Sequence, residues 1–179
     1  MKKTTIILII MVSQLVSAQI EEDTDTLEIW TFFSIGNFVN QNAERIVEKK
    51  WPFKIKGVAG DVFEEELEYT VEVHNNSIWA YLDANGYSNS KKEFEIDLHA
   101  EINRIKKAVE ISNENQTIIE LFEKLRKSNH QNYTELNKIS DEKYVFLIYS
   151  YDVNDLNQGQ TFELKYMVDL SNEKIEIIQ

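Results

Sequence analysis

The sequence predicts an α+β domain, with N-terminal helices packed on a C-terminal three- to four-strand antiparallel meander. Three observations lead there. Through much of the chain before Lys143, apolar residues recur at three- and four-residue steps, the period of an amphipathic helix. From Lys143 onwards they run continuously or alternate, as in strands. The links between those strands are short, whereas a parallel crossover takes about a dozen residues or more, so the pairing is antiparallel.

Residues 19–26 are polar and acidic and read as a flexible start, and residues 27–179 as one domain. Leu27 to Phe33, with Ile29, Trp30 and Phe32, is compatible with a helix start or a short strand. Ser34 to Lys50 reads as a helix, with Ile35, Phe38, Val39, Ala43, Ile46 and Val47 on its stripe. Lys49 and Lys50 suit its C-terminal dipole, and Pro52 stops it by pushing Trp51 out of helical geometry. Phe53 to Val58 alternates as a strand does. Asp61 then resembles an N-cap, with Glu64 completing a capping box, and predicts a helix over 62–84. Its stripe is Phe63, Leu67, Thr70 or Val71, His74, Ile78 and Tyr81 or Leu82, and Asn85-Gly86 is its exit. A strand over Leu67 to Val73 is the rival pattern there.

Segment 93–111 carries both periods. Phe94, Ile96, Leu98, Ala100 and Ile102 alternate, while Phe94, Leu98, Ile102, Ile105 and Val109 are helically spaced. The Lys-, Ala- and Glu-rich tail favours helix. Gln116 to Lys127 is another amphipathic helix. Residues 128–141 are polar, with Leu136 and Ile139 as packing points. Strands follow over 143–153, 161–170 and 174–178. The first is apolar on both faces and therefore central. The helix over 62–84, being the longest and most regularly striped, is expected to cover the sheet.

The chain opens with Met1-Lys2-Lys3, an apolar run from Thr4 to Val12, and the exit Val16-Ser17-Ala18. Basic start, apolar middle and small residues in that order match a cleavable secretory signal, cut between Ala18 and Gln19. The run is too short for a spanning helix, which needs about 20 residues. No cysteine follows the cut, as a bacterial lipoprotein would require. The expected product is exported, periplasmic or extracellular, and not membrane-anchored. Removing 18 of 179 residues leaves 161, enough for one core without disulfides. Losing Lys2 and Lys3 takes 19 basic residues to 17 against 31 acidic, hence −14. That field disfavours nucleic-acid partners. The absence of cysteine removes thiol nucleophiles and thiolate metal sites.

Candidate chemistry is sparse. His74 lies on an apolar stripe, as a general base or a core residue. Asp97, His99 and Glu101 would share one face of a strand and offer oxygen and nitrogen ligands to a metal, but would splay on a helix. Asp152 to Gly159 lacks calcium-loop spacing, since Leu156 falls where an oxygen ligand is needed. No Gly-x-Ser-x-Gly elbow and no Gly-rich phosphate loop occurs, and no cofactor is expected. Arg45, Lys49, Lys50, Lys54 and Lys56 form a basic cluster suited to an acidic partner. Trp79 and Tyr87 fall off the main stripe or in a loop, and if exposed would suit contact with a protein or glycan. These features point to a non-enzymatic binding or accessory module acting on another extracytoplasmic protein or a glycan. The alternatives are an exported hydrolase using carboxylates or His74, and a structural envelope protein without a ligand.

Overall fold

The computed structural model describes residues 26–32, 37–60, 64–154 and 159–178. The Ala18–Gln19 junction and Asp61 lie outside them. The element order is β1 (Leu27–Phe32), α1 (Phe38–Val47), a 3-10 turn (Glu48–Lys50), β2 (Phe53–Ala59), α2 (Glu65–Ala84), α3 (Ser90–Asn113), α4 (Gln116–Lys127), β3 (His130–Lys138), β4 (Lys143–Asp152), β5 (Thr161–Asp169) and β6 (Lys174–Ile178). The α+β class and the C-terminal antiparallel meander are as the sequence predicts.

Two sheets form. β1 and β2 pair in parallel, with Leu27 opposite Phe53 and Ile29 opposite Ile55, and α1 makes the crossover. β3 to β6 form an antiparallel sheet in chain order. The segment 27–32, left open between helix and strand, is therefore a strand. α1 starts later than its stripe suggests, because Asn37 caps it by accepting from the Asn40 N–H at 3.1 Å. Its last turn tightens to 3-10 before Pro52. α2 starts at Glu65, not Val62, since Glu64 is extended and gives no side-chain cap. Its exit follows the sequence: Gly86 takes φ 103°, open to a residue without Cβ, and the Tyr87 N–H closes on the Leu82 carbonyl at 3.1 Å. Segment 90–113 resolves to helix.

Two expectations are corrected. Residues 130–138, given no element from sequence, form the fourth strand of the meander. β3 pairs with β4 from His130 opposite Asp152 to Lys138 opposite Tyr144. Its polar sequence hides it because an edge strand with one open face needs few apolar residues, and Leu136 is its one fully buried side chain. Ile139, expected to pack, is 63% exposed. The second correction concerns the cover of the sheet. Ala43 and Ile46 of α1, Ile105 and Ala108 of α3 and Ile118 of α4 pack against Leu136, Tyr144, Phe146, Ile148, Tyr166 and Val168. α2 instead buries Trp79 and Leu82 against Ile29, Val47, Phe53 and Phe94, forming a second core over the small sheet.

α2 also closes the open edge of β1. Asn75 accepts from the Trp30 N–H and donates to the Trp30 carbonyl, both at 2.8 Å. His74 Nε2 lies 2.8 Å from the Glu28 carbonyl. Because a carbonyl only accepts, Nε2 carries the hydrogen there. On the far strand, the Ile55 N–H donates to Glu48 at 2.7 Å.

Candidate functional site

The register of the large sheet sorts its residues onto two faces. Tyr144, Phe146, Ile148, Tyr166 and Val168 point at the helices. Their neighbours Val145, Leu147, Tyr149, Tyr151 and Met167 point the other way, with Tyr133 and Phe162 beside Tyr149 on the flanking strands. None of these seven belongs to either core cluster. Val145 is nonetheless buried, at 7% exposure, while the other six are half-buried or exposed. Phe162 is 49% exposed. The Tyr133 and Tyr149 rings lie 5.0 Å apart and nearly parallel, and Phe162 meets Tyr149 edge-on at 5.7 Å. An aromatic ridge thus crosses three strands. Parallel rings this close stack with an offset, so each tyrosine turns one face to the other. The Tyr133 hydroxyl donates to Gln160 at 2.7 Å.

A second feature lies at the C-terminal end of α1. There a cleft of about 440 Å³ opens between Arg45, Ile46, Lys49 and Lys50 on one side and the β3–β4 turn, with Lys138, Ser140 and Asp141, on the other. The basic cluster expected from sequence is therefore split. Arg45, Lys49 and Lys50 meet Lys138, which is distant in sequence, whereas Lys54 and Lys56 pair with Glu48 and Glu28. Behind the cleft, Glu101 is fully buried and accepts from Lys138 at 2.6 Å, Tyr144 at 2.7 Å and Arg104 at 3.3 Å. Lys138 also meets Asp141 at 2.7 Å, and this hydrogen bond holds the Asp141 carboxyl below its ordinary range. Burial, and then the Glu101 carboxylate, push the Tyr144 hydroxyl well above the ordinary tyrosine value, so it remains a donor.

The residues singled out from sequence scatter. Trp79 is 8% exposed and packs edge-on against Phe53, so its ring serves the core. Tyr87 is 40% exposed, with one ring face against Trp51. His74 stacks on Trp30 at 3.8 Å and closes the strand edge. Asp97, His99 and Glu101 splay around α3. Asp97 accepts from the Trp51 indole at 3.2 Å, His99 is exposed and Glu101 is in the buried network. No group of three potential metal ligands converges among the described residues.

Glu44 and Glu48 do share a cavity of about 200 Å³, lined also by Arg45, Gln41 and Thr31. Glu48 is committed to Lys54 and the Ile55 N–H. Burial raises the Glu44 carboxyl above its ordinary value. Folding thus penalises the charged form of Glu44 relative to the neutral one. The resulting penalty is fully present above the folded pKa and vanishes as pH falls to the unfolded value. Glu44→Gln is accordingly expected to raise Tm slightly at neutral pH, with the gain closing below pH of about 4.5; thermal melts across pH check this.

No protein-family model, curated protein or solved structure matches this chain. Among the described residues, no helix is long and apolar enough to cross a membrane. Sequence reasoning missed the outer sheet face. The signal was present in Val145, Leu147, Tyr149 and Tyr151, but continuous apolarity in β4 reads equally as burial on both sides.

Proposed function

We propose that this chain is an exported, non-enzymatic binding module that docks another extracytoplasmic protein on the outer face of its large sheet. Export rests on the basic, apolar and small-residue order of residues 1–18. Binding rests on the ridge of Tyr133, Tyr149 and Phe162, flanked by the half-buried Leu147 and Met167 on the same face. A contiguous aromatic and aliphatic face of this kind is where protein interfaces concentrate their energy. A protein suits it better than a glycan, since the ridge continues into aliphatic Leu147 and Met167, which offer a sugar no ring to stack on. A different protein suits it better than a second copy, because two mature chains of net charge −14 repel.

The test places a photo-crosslinking residue at position 162 in cells, with exposed position 69 on α2 as control, and then measures affinity for the purified partner. Position 162 is expected to capture an extracytoplasmic protein that position 69 does not. Leu147→Glu combined with Phe162→Ser should weaken its binding by about tenfold or more, roughly 1.4 kcal/mol, at unchanged Tm. Unchanged affinity, or a crosslink only between two copies, would overturn the reading. Glycan binding abolished by the same pair would replace the protein with a sugar. Release of a product starting at Gln19 tests the export step separately.

A further inference from the structure

We infer that the cleft between the C-terminal end of α1 and the β3–β4 turn is a binding site for an acidic peptide segment, separate from the sheet face. Its cations are poorly compensated for so acidic a protein. Lys138 is balanced by Glu101 and Asp141. Arg45 donates to the Leu136 carbonyl and, at 2.9 Å, to Asn42, both neutral acceptors. Among the described residues, Lys49 and Lys50 make no hydrogen bond or ion pair, although Asp141 lies within the electrostatic reach of Lys50. Helix-dipole complementarity accounts for Lys49 and Lys50 at the end of α1. It does not account for their meeting a lysine from β3 across a cleft.

The arrangement selects a class of ligand. The positive groups belong to three elements and stand around the rim, and part of the donor capacity of Arg45 is already used. A single tetrahedral oxyanion needs donors converging on one point. Carboxylates spaced along an extended chain match a dispersed set better. Ile46 and the exposed Ile139 in the same cleft give such a chain an apolar contact between its charges. A nucleic acid brings acidic groups too, but over a footprint that meets the negative remainder of the surface.

The probe is a fluorescently labelled peptide of alternating glutamate and isoleucine, titrated with the purified chain at low ionic strength. Saturable binding that weakens with added salt is expected. Lys49→Glu with Lys50→Glu should weaken it by at least about tenfold at unchanged Tm. Lys91→Glu with Lys92→Glu, an equal charge change at the start of α3, should alter it by less than about twofold. Phe162→Ser should leave it unchanged, which separates this site from the sheet-face reading. Absence of binding overturns the proposal, as does equal loss in both lysine pairs, the mark of a diffuse field. Displacement by inorganic phosphate as readily as by unlabelled peptide makes it a compact oxyanion site instead. Tight binding only after Glu21, Glu22, Asp23 and Asp25 are neutralised assigns the cleft to the chain's own acidic stretch and overturns an external ligand.

Discussion

Replacing Glu101 by alanine is expected to lower the unfolding free energy by about 3–5 kcal/mol, the range seen when one member of a buried charge network is removed. Glu101 has no solvent exposure, and three donors converge on it from α3, β3 and β4. Without it the Tyr144 hydroxyl is buried with no acceptor, and Lys138 keeps only Asp141 at the cleft mouth. Glu101→Gln retains the shape and an acceptor oxygen but not the charge, so it should fall between wild type and alanine. Urea unfolding checks the order. A loss below about 1 kcal/mol for alanine would mean that water or Asp141 replaces the carboxylate, and that the network does not anchor α3 to the sheet.

Phe53→Ala is the second large loss, about 3–5 kcal/mol for an aromatic side chain removed from a packed core. Phe53 is the hub of the smaller core. Its ring lies 5.6 Å from Trp51, 5.4 Å from Trp79 and 5.3 Å from Phe94, joining the residue after the 3-10 turn, α2 and α3 to β2. The cavity left behind would have walls from several elements that cannot all move inward. Two of the neighbours are tryptophans, so their emission should shift and lose intensity even before unfolding. Phe53→Leu keeps most of the volume and should recover much of the stability. Equal losses for alanine and leucine would show that ring geometry, not volume, carries the site.

Periodicity made most elements legible, because it reports which face an element buries. α4 and the strands β4 to β6 follow from it directly, whereas α3 carries both periods and only the composition of its tail favours helix. What each element packs against was not legible. The stripe of α2 gave no sign that its partner would be a two-stranded parallel sheet, and β1 looked ambiguous without β2 to pair with. β3 was hidden by its polarity, an edge property invisible until the neighbouring strand is known. The candidate sites divide similarly. Arg45, Lys49 and Lys50 stand close in sequence and could be read as a cluster, but Lys138 joins them only through the fold. Trp79 was placed off the stripe although it borders it: α2 buries Val71 and Leu82 of the stripe together with Trp79, and Ile78 packs beside them. The outer aromatic ridge is spread over three strands and exists only as cross-strand register.

The contacts of Asn75 bear on more than the anchoring of α2. A two-stranded parallel sheet has two unpaired margins and little mass to shield them, which invites another chain to extend it into a fibre-like stack. With one amide, Asn75 supplies the acceptor and donor that an incoming strand would present to Trp30, and His74 occupies the next position at Glu28. The helix therefore acts as a one-residue mimic of a strand, and the sheet stops growing at that margin. On the opposite margin, Glu48 takes the Ile55 N–H and sets a carboxylate where a neighbour's backbone would have to approach. Both margins are thus occupied by side chains that end the ladder, so the smallest sheet is also guarded against polymerisation.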